Sequence, residues 1–168
     1  MMKRIHIVGR KDSGKTTLVE ELVGELVRLG YRVGTIKHTH HHHELDTPGK
    51  DSHRHREAGA SAVGILSPQM NAIFWPQPAT VDKARSYQQF DSMMSQCDIV
   101  LVEGDAQTDA PKIEVFRSAT EQQPIASSKE TGIMAVVTDD TLDISLPTWP
   151  RNDLALIVEN IERLAQRE

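Results

Sequence analysis

Gly9-Arg10-Lys11-Asp12-Ser13-Gly14-Lys15-Thr16-Thr17 follows the apolar run Ile5-His6-Ile7-Val8 and precedes a segment with Leu18, Leu22, Leu26 and Leu29 at helical spacing. G-x-x-x-x-G-K-T between a strand and a helix is a phosphate-loop pattern. Its glycines let the backbone wrap with N–H groups pointing inward at phosphate oxygens, and the helix behind adds the positive end of its dipole. Gly9, Asp12, Ser13 and Gly14 therefore line a candidate nucleotide cradle. Lys15 is placed for the β- and γ-phosphates, the Thr16 hydroxyl for Mg²⁺, and Thr17 for the α-phosphate. Such a loop needs an acid at the end of a second strand, to hold the metal or orient water. Asp98-Ile-Val-Leu-Val-Glu103-Gly104 supplies one, which makes Glu103 a metal candidate beside Thr16.

A second stretch, KHTHHHHELDTPGKDSHRHREAGA from Lys37 to Ala60, is rich in imidazoles. His38 and His40 to His43 suit Zn²⁺, Ni²⁺ or Cu²⁺ by ligand type. Consecutive residues of an extended chain point to opposite sides, however, and no cysteine motif completes a metal site. Two other readings stand beside the metal: contacts to phosphates or another anionic ligand, and a plain solvated loop. Asp46 and Asp51 lie where switch loops meet Mg²⁺ and the γ-phosphate, so both are candidate metal ligands. Asp46 reads equally as a turn residue before Thr47-Pro48, and Asp51 as a helix N-cap. His53, Arg54, His55 and Arg56 form a basic cluster, either a solvated face or a seat for an anionic ligand or acidic partner.

These residues must be held by the alternating elements around them. Strands are expected at Arg4–Val8, Arg32–Lys37, Asp98–Glu103, Lys112–Arg117 and Gly132–Thr138. Helices are expected at Thr17–Leu29 with Gly30 as its C-cap, Asp51–Gly59, Asp82–Met94 and Asn152–Gln166. Ser61–Ser67 and Met70–Trp75 read as a hairpin, and Asp105–Pro111 and Ala119–Glu130 as loops. The alternation predicts an α/β fold, a mostly parallel sheet covered on both faces, in which Lys112–Arg117 alternates between faces. With 168 residues, one domain spanning 1–168 is expected. Hydrophobic residues are 38% and charged residues 26%, an ordinary soluble mixture. A net charge of −5 argues against a general nucleic-acid binder. The single cysteine, Cys97, suits a reducing cytoplasm, and no apolar run approaches a membrane span or a signal-peptide core.

In their order along the chain, GRKDSGKTT, VGTIKHTHHHHELDTPGKDSHRHREAGA, LVEG and PKIEVFR resemble the molybdopterin-guanine dinucleotide biosynthesis adaptor family, MobB. The likeness runs from about residue 4 to about residue 138, and the Lys37–Ala60 stretch is its most specific part. It implies a phosphate-loop protein that binds GTP with Mg²⁺, has weak GTPase activity at most, and forms a homodimer. It also implies a partner, the guanylyltransferase that joins GMP to molybdopterin, with molybdopterin itself a candidate ligand. Carried onto this chain, Lys37, His38, Thr39, Asp46, Pro48, Gly49, Asp51 and Ser52 fall in the family's second motif, Lys112 and Arg117 in its third. Two departures stand out. Gly104 is followed by Asp105-Ala106-Gln107 rather than by an aromatic residue and a lysine. Val137-Thr138-Asp139-Asp140 offers an acid for guanine, Asp139, without the lysine of ordinary GTPases. The residues themselves leave two alternatives open, a small-molecule kinase and a metal-insertion GTPase.

Overall fold

The apolar runs become strands, and the amphipathic ones helices. In chain order the elements are β1 (Arg4–Val8), α1 (Lys15–Arg28), β2 (Val33–Lys37), α2 (Asp51–Glu57), β3 (Val63–Leu66), β4 (Asn71–Phe74), α3 (Lys83–Met93), β5 (Ile99–Glu103), β6 (Lys112–Val115), β7 (Ile133–Val137), β8 (Thr148–Trp149) and α4 (Leu154–Ala165). The computed structural model describes residues 3–39, 41, 44–76, 83–128 and 131–166. His40, His42, His43 and the expected helix start at Asp82 lie outside the described residues. Two compact units make up the chain: Met1–Thr39 with Phe90–Glu168, and His40–Gln89.

The first unit holds a six-stranded sheet in the order β2-β5-β1-β6-β7-β8, with every neighbouring pair parallel. One face is apolar. Ile5, Ile7, Ile99, Leu101, Ile113, Val115, Ala135 and Val137 meet Leu18, Leu22 and Leu26 of α1 and Ile157, Ile161 and Leu164 of α4. Leu22 and Leu26 are fully buried, each worth about 2 kcal/mol relative to exposure. The helix ends follow local chemistry. Gly14, at φ +93°, caps α1 two residues earlier than the periodicity placed it. At the other end Tyr31 N–H donates to the Leu26 carbonyl and Gly30 N–H to that of Val27, a Schellman closure with Gly30 at φ +93°. The Asp153 carboxylate caps α4 by accepting Leu156 N–H at 3.0 Å.

The other face carries the alternate residues of the same strands, among them His6, Lys112 and Glu114, all buried. Lys112–Val115 does alternate as expected, but both of its faces are interior. Among the described residues no α-helix crosses here between β5 and β6 or between β6 and β7; loop 104–111 lies in the first connection and the segment 116–128, with two 3₁₀ turns, in the second. Each buried polar side chain satisfies the coil above it. His6 Nδ1 donates to the Gly104 carbonyl at 3.1 Å. Lys112 Nζ donates to the carbonyls of Ala106, at 3.0 Å, and Thr108. Glu114 accepts Ile125 N–H and Ala126 N–H, both at 2.8 Å. Buried backbone groups need partners, and three side chains supply them where a helix would have satisfied its own.

β8 was not expected. Its two residues sit between Pro147 and Pro150 and join the sheet edge through Thr138 N–H to the Trp149 carbonyl at 2.9 Å. In the second unit β3 and β4 form the expected antiparallel hairpin, Val63 opposite Phe74 and Leu66 opposite Asn71. α2 belongs to the same unit, and its basic cluster is only partly solvated. Arg56 pairs with Glu44 at 2.6 Å and His53 stands 3.7 Å from the same carboxylate, while Arg54 and His55 are exposed. Among the described residues no helix is long and apolar enough to cross a membrane.

Burial lowers the His6 pKa to about 4, against the opposing hydrogen bond to Gly104. A depressed folded value means the unfolded chain takes up the proton first, so the His6 contribution is complete above pH 6.5 and is lost as pH falls towards 4. Urea unfolding should show a loss of about 3 kcal/mol across that window. Burial raises the Glu114 pKa and acts in the opposite sense, so the difference between wild type and His6→Gln isolates the histidine. Parallel pH profiles for the two proteins would refute this assignment.

Candidate functional site

The loop after β1 has the backbone its glycines predict. Gly9 has φ +148°, and a Cβ there would lie 2.4 Å from the Val115 carbonyl oxygen and 2.8 Å from Ser13 Oγ. A side chain at position 9 is therefore excluded by neighbouring main chain. Asp12 takes the left-handed conformation at φ +61°, and Gly14 leads into α1 with no side chain to cap it. The first N–H groups of α1 thus point into the loop, the usual arrangement for an anion. Ser13 Oγ is buried without a hydrogen-bond partner among the described residues.

Thr16 Oγ1 donates to Glu103 Oε1 at 2.9 Å, and Lys37 Nζ donates to the same oxygen at 3.0 Å. Topology makes this contact. β2 and β5 are neighbours with Lys37 opposite Glu103, β1 lies on the other side of β5 with Ile7 opposite Glu103, and the phosphate loop leaves the end of β1. Glu103 is followed by Gly104 at φ +102°, where a Cβ would sit 2.9 Å from the His38 carbonyl oxygen. His38 N–H in turn donates to the Glu103 carbonyl at 2.9 Å, which clips the ends of β2 and β5 together. Lys15 Nζ donates to the Arg10 carbonyl at 2.5 Å. Burial pulls the Lys15 pKa below the ordinary lysine value, the nearby Glu103 opposing and Lys37 adding to the effect.

Thr16 and Glu103 are hard oxygen donors of the kind Mg²⁺ takes, and the first turn of α1, which no side chain caps, offers its backbone N–H groups to a phosphate. Lys15, Lys37 and the N-terminus of α1 supply positive charge around it. Thr17 lies exposed in the first turn of α1. Asp139 stands after β7 at the same rim of strand ends, exposed, with Oδ1 accepting Asn152 N–H at 3.2 Å. Its neighbour Asp140 accepts the N–H and hydroxyl of Ser118, at 2.7 and 2.8 Å.

Asp46 and Asp51 belong to the second unit. Asp46 Oδ1 accepts Thr47 N–H at 2.7 Å and the Ser52 hydroxyl at 3.0 Å, the bonds of a turn residue. Its Oδ2 is buried without a partner among the described residues. Asp51 is the first residue of α2 rather than its cap, which is Lys50; its side chain is 91% exposed and 3.9 Å from Arg54. Among the described residues no three His, Cys, Asp or Glu side chains gather as a metal site. Of His40 to His43 only His41 is described, and it is exposed.

Two residues at the loop escaped reasoning from the residues alone. Arg117 Nη2 lies 3.5 Å from where a Gly14 Cβ would be, which places a guanidinium against the phosphate loop. Its signal is position: it follows β6, the strand beside β1. Glu114 is buried with Arg10 and Lys15 as its nearby positive charges. A glutamate between Ile113 and Val115 on a central strand was the available sign.

The family model described as molybdopterin guanine dinucleotide synthesis protein B, MobB, matches residues 4–139. The chain is 38% identical over 156 residues to the molybdopterin-guanine dinucleotide biosynthesis adapter protein of Haemophilus influenzae, covering 93% of this chain and 85% of that protein. It is 31% identical over 156 residues to the protein of the same name from Escherichia coli K12, covering 93% and 89%. Among solved structures, the crystal structure titled molybdopterin-guanine biosynthesis protein B superposes with a TM-score of 0.72 at 27% identity, over 98% of this chain and 99% of that one. The family model's match over residues 4–139, with relatives 38% and 31% identical across most of the chain, places this protein in the MobB family.

Proposed function

We propose that this protein binds GTP with Mg²⁺ through Gly9–Thr17 and works as an adapter in the biosynthesis of molybdopterin guanine dinucleotide. The observation that carries the nucleotide reading is the Thr16–Glu103 contact, at 2.9 Å, at the mouth of the phosphate loop. The adapter role follows from the two relatives named for it. The partner is the guanylyltransferase that joins GMP to molybdopterin, and hydrolysis of GTP at this site is slow at most. Lys15 holds the β- and γ-phosphates, Thr16 and Glu103 hold Mg²⁺, and Asp139 reads the guanine N1 and N2 groups after releasing Asn152 N–H.

Calorimetry should show GTP binding weakened at least tenfold by Lys15→Ala, roughly 1.4 kcal/mol or more. Glu103→Gln should fold normally and lose part of the Mg²⁺ dependence of that binding. Equal affinities for wild type and Lys15→Ala would move the nucleotide elsewhere on the chain. Co-purification with the guanylyltransferase should be stronger with GTP than without it; recovery that ignores GTP would count against a nucleotide-gated adapter.

The protein acts as a homodimer in this reading. Support comes from the hairpin, where Leu66 is 88% and Met70 75% exposed, and Ile65 and Ile73 are partly so. A two-stranded sheet is marginal on its own in water and gains most from a covering surface. Leu66→Lys combined with Met70→Lys should shift the sedimentation equilibrium from dimer to monomer. A double variant that stays dimeric would place the interface on another surface.

A further inference from the structure

Lys37, one of the positive charges beside the loop, is itself paired with an acid. Its ammonium is 3.0 Å from Glu103 Oε1, the oxygen that also accepts the Thr16 hydroxyl. The Glu103 side chain is 14% exposed and the Lys37 side chain 66%. The carboxylate is thus fixed and nearly enclosed, while the lysine approaches from solvent on a flexible stem. Thr16 and Glu103 are the hard oxygens that a divalent cation takes at this loop. An ammonium and a divalent ion cannot share one carboxylate oxygen without strong repulsion between like charges.

We propose that Lys37 is a resident counter-ion for Glu103 that gives way when a divalent cation enters. This rests on the nucleotide-binding reading above and adds to it a competition at one oxygen. Without the cation, Lys37 neutralises a carboxylate that burial would otherwise penalise. With the cation bound, Glu103 has a stronger partner, and the ammonium is released to reach another anionic group at the rim. Lys37 is also the last residue of β2, and two residues on, at Thr39, the first unit hands the chain to the second. Lys15 also faces Glu103, but its ammonium is held by the Arg10 carbonyl and serves the phosphates rather than the metal position.

The test counts free Mn²⁺ by electron paramagnetic resonance in protein loaded with one equivalent of GDP, a diphosphate that leaves the γ-phosphate position open. Lys37→Met keeps the stem and removes the charge, on a side chain exposed enough to leave folding intact. It should bind Mn²⁺ about three- to fivefold more tightly than wild type, the size of a partly exposed ion pair. Lys37→Arg, which keeps the charge, should behave as wild type. Equal or weaker Mn²⁺ binding by Lys37→Met, or equal tightening by Lys37→Arg, overturns the exchange. A wild type that takes up no GDP instead sinks the nucleotide reading beneath it, so the two failures are distinguishable.

Discussion

Glu114 accepts two backbone N–H groups from a position with no solvent exposure, and the placement of the phosphate loop follows from it. A parallel sheet must bury both faces. On one of them α1 and α4 do so with leucine and isoleucine. On the other, β1 and β6 lie beneath coil, which cannot satisfy its own backbone as a helix does. His6, Lys112 and Glu114 therefore act as fixed polar struts, each joined to the segment above it. The charge on Glu114 is tolerated because two N–H donors face it and Arg10 and Lys15 lie close by. β6 is thus anchored from above, and its Val115 carbonyl forms the floor against which Gly9 turns.

Much of this was legible in the sequence, and the exceptions have physical reasons. The turn at Gly9–Gly14, α1, the hairpin and the place of Glu103 at the end of its strand were readable because each rests on local chemistry: glycine spacing, helical periodicity, turn residues, an acid closing an apolar run. β8 was not, since a two-residue strand between prolines carries no period and exists only through pairing with β7. The coil-covered face was visible only as alternation, because pattern alone does not say whether the polar side of a strand meets water or buried backbone. The shared oxygen of Glu103 could not be read either. Spacing places Lys37 and Thr16 at one rim, but the choice of atom is made by strand register. Asp46 shows the reverse case, a candidate ligand whose nearest donors, Thr47 N–H and the Ser52 hydroxyl, lie within a few residues of it.

The overall charge of −5 conceals the field at the rim. Arg10, Lys11 and Lys15 lie within or next to the phosphate loop, and Lys37 and Arg117 sit at or just beyond the ends of β2 and β6. The same rim carries Asp12, Glu103, Asp139 and Asp140, so basic residues drawn from three separate parts of the chain meet acids there rather than forming a surface of one sign. Glu103 is the one of them that Lys37 bonds and Lys15 faces. Its tight seat beneath them depends on the Gly104–His38 contact, which admits no side chain at position 104 without displacing main chain.

The encounter between Gly9 and Val115 has a genetic corollary. What a Cβ at position 9 would strike is a carbonyl oxygen, an atom that every amino acid at position 115 would present in the same place. A clash between side chains can be relieved by shrinking the neighbour, so a second substitution can restore function. Here no replacement at position 115 removes the obstacle. Suppressors of a Gly9 lesion would have to move β6 itself, and the polar struts beneath the coil hold that strand in register. Gly9 should accordingly be a position without nearby intragenic rescue, where loss of one hydrogen atom's worth of space is final.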